Sequence, residues 1–333
     1  MGKIVVGIDI AKSVFQVHAA DEAGAMIYSK KLSRGQVLPF FAKQSPTLIG
    51  MEACATSHHW ARELVKLGHE VRLLPPTAVK PFVKRGKKND AADAAAISEA
   101  VVRPNIHSVP VKTEEQQSVL ALHTVREQLV MARTGFVNAV RAHFAEHGMV
   151  VGLGRGKFAE LATLRQHLPD RTAFAVDVLL GRINDFEADI ARIEKELMEF
   201  HKSCEESRNL ATIPSVGPLA ATLIVAKIGD PSRFKRGRNF AAWLGMVPRQ
   251  NSSGGKDRLG AITKAGDQSI RRMLFLGATS MVWRAKPTTW LGKLRERKPA
   301  KLAAMALANK TARIIWAVLT RGEVCRETMA AVA

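Results

Sequence analysis

The sequence predicts an α/β domain followed by a mostly helical remainder, on the strength of three patterns. Apolar, β-branched runs alternate with helical stretches through the first hundred residues. A seam of apolar residues, spaced alternately by three and four, then runs from Val176 to Cys204. Finally, the positive charge gathers at the C-terminal end, with 24 basic against 8 acidic side chains over residues 201–333.

The first hundred residues read as follows. Lys3–Ile10 and Ser13–Ala20 are strands, Asp21–Gly24 is a turn, and Ala25–Leu32 returns as a third strand, giving an antiparallel meander. A short helix around Val37–Lys43 precedes a buried strand over Thr47–Cys54. Ser57–Leu67 is a helix closed by Gly68, and His69–Leu74 is a fifth strand ended by Pro75 and Pro76. A basic loop, Lys84–Lys88, leads into an Ala-rich helix from Asp90 to Val102. Three antiparallel strands, helix, strand, helix, strand, helix is the RNase H-like order.

The middle is helical and nearly neutral. Thr113 and Gln116 have the spacing of a capping box, and the helix they open runs toward Gly148. After a loop containing Gly152, Gly154 and Gly156, the seam passes through Val176, Leu179, Ile183, Phe186, Ile190, Ile193, Leu197 and Phe200, a coiled-coil pattern. The seam pairs either within the chain, against residues 113–148, or between chains as a dimerisation arm. The C-terminal part opens on Ile213–Pro218, a Pro/Gly turn before an apolar helix. Such a helix-hairpin-helix-like segment can aim backbone N–H groups at a phosphate. The predicted regions are 1–110, 111–208 and 209–333.

Composition narrows the function. The 333 residues carry 50 Lys plus Arg against 30 Asp plus Glu, a net charge of +20, and 47% are hydrophobic. No run approaches the roughly 18 apolar residues of a membrane span, and the N-terminus lacks a secretory h-region, so a cytoplasmic protein is expected. Three scattered cysteines offer neither a disulfide framework nor a zinc ribbon. Residues after Asp230 carry +16 of that net charge, as a polyanion-binding region would have it, because each neutralised phosphate releases condensed counterions. Candidate phosphate-binding side chains are Lys84, Arg85, Lys87, Lys88, Arg233, Lys235, Arg236, Arg238, Lys256, Arg258, Arg271 and Arg272. With 6% aromatics, extensive base stacking is not expected.

Four acids stand out in this basic background. Asp9 ends an apolar strand, Glu52 nearly ends another, and the predicted sheet sets these strands side by side. Asp90 and Asp93 share a face of the following helix. Taken singly, Asp90 suits an N-cap, Asp93 the helix dipole, Glu52 a solvated strand end and Asp9 a turn. Taken together, four converging carboxylates would repel one another unless hard cations balanced them. Mg²⁺ suits such a site, and two ions about 4 Å apart clamp a scissile phosphate.

Covalent attack on a phosphate would need a nucleophilic hydroxyl. The single tyrosine, Tyr28, lies on a predicted strand without a clustered Arg/His/Arg set, which argues against a tyrosine recombinase. The best-placed serines are Ser252 and Ser253, beside Gly254 and Gly255 and among Arg249, Lys256 and Arg258. Such a loop is also ordinary flexible composition.

Gly7-Ile8-Asp9-Ile10-Ala11-Lys12, Met51-Glu52-Ala53 and Lys88-Asn89-Asp90-Ala91-Ala92-Asp93-Ala94 resemble the three blocks of the DEDD transposases of insertion-sequence family one-hundred-ten. That family includes pilin-gene invertases and bridge-RNA-guided recombinases. Pro248, Ser252-Ser253-Gly254 and Ile262–Asp267 with Arg271-Arg272 are similar to its C-terminal transposase block. The resemblance covers almost the whole chain. It implies a RuvC-like nuclease domain at 1–110 with Asp9, Glu52, Asp90 and Asp93 as the Mg²⁺-binding tetrad. It further implies a serine transposase domain at 209–333 with Ser253 as nucleophile, Ser252 being the alternative. DNA, a structured guide RNA and a homo-oligomer, dimeric and tetrameric on DNA, are the implied partners.

Other motifs fall away. Gly152–Lys157 lacks the first Walker glycine and carries Phe158 where Ser or Thr belongs. His58 and His59 have no further ligands at metal spacing. The opening Gly-Ile-Asp-Ile lacks the glycines of actin-like kinases. A metal-dependent nuclease or junction resolvase using the tetrad alone, and a non-catalytic nucleic-acid-binding protein, are the competing classes.

Overall fold

Val5–Ile10 forms β1, the middle strand of a five-stranded sheet. The computed structural model describes residues 4–83, 89–152, 154–256 and 258–325, and the chain divides into two compact units, Met1–Glu114 and Glu115–Ala333.

In the first unit β1 is followed by β2 (Val14–Ala20) and β3 (Met26–Ser33), then α1 (Val37–Phe41), β4 (Leu48–Glu52), α2 (Ser57–Lys66), β5 (Glu70–Leu74), α3 (Pro76–Val79) and α4 (Asp90–Val101). The sheet order is β3-β2-β1-β4-β5, with β1, β2 and β3 antiparallel and β1, β4 and β5 parallel. This is the predicted meander followed by two helix-linked strands.

Strand alternation explains the layers. Val6, Ile8, Ile49 and Met51 face one way and are buried with Phe41, Trp60, Ala61 and Leu64 of α1 and α2. On the opposite face, Val5 and Leu74 are buried with Ala96, Ile97, Ala100 and Val101 of α4. Gly7 and Gly50 also lie on this face, paired in register. A Cβ on Gly7 would stand 2.1 Å from the Ala94 carbonyl oxygen, and one on Gly50 2.8 Å from Val101 Cβ. Two glycines side by side therefore let α4 rest directly on the sheet.

The second unit holds α5 (Glu114–Glu146), α6 (Arg155–Leu164), α7 (Asp170–Ser203), α8 (Glu205–Ala211), α9 (Pro218–Ile228), α10 (Gly237–Trp243), the hairpin β6 (Pro248–Gln250) and β7 (Leu259–Ile262), α11 (Gln268–Arg284), α12 (Trp290–Arg297) and α13 (Ala300–Arg321). α5 and α7 run antiparallel, since Arg126 bonds Glu194 at 2.6 Å, Arg133 meets Glu187 at 3.5 Å, and Phe136 packs edge-on against Phe186. Val176 and Ile183 of the heptad seam are buried with Val140 and Phe144 of α5, and Leu197 with Val119. The seam is thus filled from within the chain, the first of the two pairings the sequence left open.

Two readings of loops change. The glycine-rich stretch around 152–156 gives way at once to α6, whose Leu161 is buried with Val176. Gln250 and Leu259, expected within one loop, pair with each other as parts of β6 and β7. Near the end of the chain, α13 is long and apolar enough to cross a membrane by length and composition alone. Its Ala303, Ala304, Leu307, Ala308, Ala312 and Ile315 are buried in the core of this unit, which accounts for that apolarity.

Candidate active site

Asp9 and Glu52 owe their placement to strand register. Gly7 pairs with Gly50 and Ile8 with Met51, so the next residues along, Asp9 and Glu52, lie at the carboxyl ends of two adjacent parallel strands. By alternation both carboxylates share the face of Gly7 and Gly50, the one α4 covers. Both are half-buried. Open α/β sheets bind ligands at this end of their parallel strands. A groove of about 1210 Å³ lies toward the other ends, lined by Ile4, His18, Leu48, Glu70 and Glu99, and none of the four acids borders it.

Asp90 and Asp93 occupy the first turn of α4, Asp90 exposed and Asp93 half-buried. The cap of this helix is Asn89, whose side chain accepts a hydrogen bond from the Ala92 N–H at 2.8 Å. Capping therefore does not account for Asp90, nor a turn for Asp9, which lies within β1. Among the described residues, no group of three or more His, Cys, Asp or Glu side chains stands close enough to hold a metal ion. The four acids are thus not drawn into one cage.

The Asp9–Glu52 pair nonetheless fits a hard cation, being two oxygen donors on one face of one sheet end. Its field reaches the neighbouring Cys54, whose thiol is pushed up by partial burial first and then by Glu52 and Asp9.

Ser253 stands at a turn of equally clear cause. It bridges to Lys256, whose N–H donates to the Ser253 carbonyl at 3.1 Å, across Gly254 and Gly255. Both glycines have positive φ, +57° and +74°, as the tightest hairpin turns require. Ser252, Ser253, Lys256 and Arg258 are all exposed. The stem is held onto the helical core where Gly245 crosses Gly266; a Cβ on Gly266 would stand 1.9 Å from the Trp243 carbonyl oxygen. Arg271 donates to the carbonyls of Leu244 and Gly266 at 3.0 and 3.1 Å, locking that crossing.

The predicted phosphate-binding cations divide by environment. Lys235, Arg236, Arg238, Lys256 and Arg258 are exposed. Arg271 is spent on the crossing, and Arg272 pairs with Glu127 at 2.8 Å. Arg233 is half-buried, its guanidinium over the Phe234 and Trp243 rings, and burial lowers its pKa. Lys84, Arg85, Lys87 and Lys88 lie outside the described residues.

Comparison with known proteins decides the family. Residues 6–149 match the model of the DEDD transposases of IS110, and residues 207–291 match the one described as transposase, IS116/IS110/IS902 family. The chain is 44% identical over 333 residues to the putative transposase y4pF/y4sB of Sinorhizobium fredii, covering 97% of this chain and 86% of that protein. It is 43% identical over 332 residues to a probable family 20 transposase of Pseudomonas aeruginosa, covering 96% and 97%. With the transposase for insertion sequence element IS1328 of Yersinia enterocolitica it shares 37% over 327 residues, covering 96% and 98%.

The chain belongs to the IS110 family of transposases.

As a member of the IS110 family it is a DNA transposase, and its first model match falls on the sheet that carries Asp9 and Glu52. Its second spans the hairpin of Ser253. Sequence reasoning overlooked Gly7 and Gly50 as structural partners of these acids. A signal was present: Gly7-Ile8-Asp9 and Gly50-Met51-Glu52 repeat one Gly-x-acid spacing on two neighbouring strands. The glycine admits α4, and the acid two residues on then faces it.

Proposed function

We propose that this IS110-family transposase cuts and rejoins the DNA of an insertion sequence with Ser253 as covalent nucleophile and Asp9, Glu52, Asp90 and Asp93 as the holders of divalent cations, Mg²⁺ by donor type. The observation that carries the proposal is the register of β1 with β4, which sets two carboxylates together on the α4 face. Asp90 and Asp93, at the start of the helix that covers that face, are the acids nearest in the fold's logic to complete the set. When bound, the cations neutralise and polarise the scissile phosphate.

The chain's own residues do the rest. The Ser253 Oγ forms a bond to phosphorus as the bond to the leaving sugar oxygen breaks; the hydroxyl's proton is given up as the leaving oxygen gains one, and rejoining runs the exchange backward. Lys256 and Arg258, on the same turn, offset charge on the phosphate. Exposed Lys235, Arg236 and Arg238 suit the backbone of either DNA or RNA. The family resemblance makes a structured guide RNA and a homo-oligomer part of this reading.

Asp9→Asn tests the carboxylate assignment. It keeps the side chain's shape and removes its charge, so strand exchange should fall by about a thousandfold or more while DNA binding stays within about twofold. Exchange at the wild-type rate would refute the metal role. The binding surface has its own test. Replacing Arg236 and Arg238 together by Ala should lower the salt dependence of DNA affinity by about 0.9 in log–log slope for each phosphate they neutralise. An unchanged slope would remove that patch from the interface.

A further inference from the structure

Three of the five tryptophans are solvent-exposed, all in the second unit, and each has a cation beside its ring. Trp283 is 64% exposed with the Arg295 guanidinium 5.2 Å from its ring centre. Trp290 is 39% exposed with the Lys310 ammonium at 4.9 Å, and Trp243 37% exposed with Arg233 at 4.8 Å.

Trp283 is the clearest case. α11 buries Ile270, Leu274, Ala278 and Val282 at a four-residue spacing, which turns the opposite face outward. That outward face carries Leu276, 57% exposed, then Ser280 and Trp283. Packing has no use for a large indole there. Arg295 donates to the Val282 carbonyl at 3.3 Å, which fixes its guanidinium against the ring. A cation so placed occupies one face of an indole and leaves the other to solvent. The segment that carries it is strongly basic, with Glu296 the sole acid in the sequence from Gln268 to Gly322.

An apolar, flat, electron-rich face within a basic field matches one ligand chemistry: an unpaired nucleobase whose phosphates meet the surrounding cations. A duplex hides its base faces in the stack, so this platform offers nothing to paired DNA. We propose that Trp283, backed by Arg295, is a stacking platform for an unpaired base of single-stranded DNA, the nucleic acid on which a transposase acts. The proposal rests on the assignment of the basic C-terminal segment to nucleic acid.

The test uses the full-length protein and fluorescence anisotropy with three labelled probes: oligothymidylate, a DNA duplex and oligouridylate RNA. Trp283→Leu should weaken oligothymidylate binding about tenfold and leave duplex affinity unchanged, while Trp283→Phe, which keeps a ring, restores most of the loss. Thermal unfolding of both variants should match the wild type. Equal losses on single strand and duplex, no loss at all, or failure of the Phe variant to rescue would overturn the platform. A loss confined to oligouridylate would overturn the choice of DNA. If the wild-type protein binds none of the probes, the assignment of the basic segment falls as well. If it binds the duplex and the Trp283 variants bind oligothymidylate as tightly as the wild type, only the platform falls.

Discussion

Ser253→Ala should abolish strand joining, by about a thousandfold or more, without loss of DNA binding or of fold. The size of the effect follows from the role: with Ser253 as the nucleophile, its hydroxyl is the group that forms the covalent link to phosphorus. The safety of the variant follows from the geometry. Ser253 is exposed, and its backbone, not its side chain, makes the bridge to Lys256. The positive-φ positions of the turn are Gly254 and Gly255 and stay untouched. Stability should therefore move by no more than about 0.5 kcal/mol. Ser252→Ala, one residue away, should keep most of the activity. The measurement is strand transfer between labelled DNA ends, with binding followed in parallel. Should Ser253→Ala still cut at the full rate, the protein would be a metal-dependent nuclease of the resolvase kind.

Gly7→Ala should cost about 3 kcal/mol or more, and with it the activity. A methyl group there would stand 2.1 Å from the Ala94 carbonyl oxygen and 2.5 Å from the Ser98 nitrogen, both backbone atoms of α4. Backbone inside a packed helix cannot rotate aside as a side-chain tip does, so α4 must lift from β1. Lifting it moves Asp90 and Asp93 away from Asp9 and Glu52. Thermal unfolding should show the loss, and strand transfer measured well below the transition should still be depressed. Gly35→Ala is the control, because a Cβ at Gly35 meets nothing within 4 Å and its φ is unremarkable. Equal melting of the two variants would mean that α4 does not lie on the sheet as described.

The parts of the fold legible in the sequence are those where one period dominates. β1, β2 and β4 are short apolar runs bounded by turn residues, and their order alone indicates the sheet. The heptad from Val176 to Phe200 marks α7 for the same reason. What the pattern cannot say is which surface fills a seam. Val140, Phe144 and Val119 lie roughly 30 to 80 residues upstream of the α7 positions they meet, and nothing local announces the pairing.

Site residues divide along the same line. Asp9 and Glu52 could be read as neighbours because their strands were predicted to be adjacent. Arg271 and Arg233 were read as phosphate-binding because charge is visible in a sequence and burial is not. The structure gives Arg271 two backbone carbonyls and Arg233 two aromatic rings. Asn-Ser-Ser-Gly-Gly lacks alternation, so the sequence does not mark the hairpin at Ser253. Its order comes from the flanking strand pair, only three and four residues long.

One measurement bears most directly on the claim that a carboxylate-held cation site and a serine act on the same bond. Trypsin cuts after Arg249 and Lys256, so Gln250–Lys256 is released as one peptide containing both candidate serines. Reaction of the wild-type and Asp9→Asn proteins with DNA, followed by nuclease and trypsin digestion and fragmentation of that peptide by mass spectrometry, locates any nucleotide adduct. A nucleotide on Ser253 in the wild type and none in Asp9→Asn is the expected result. Cut DNA accumulating from a wild-type protein whose Gln250–Lys256 peptide stays unmodified, or an adduct of equal yield in Asp9→Asn, would contradict it.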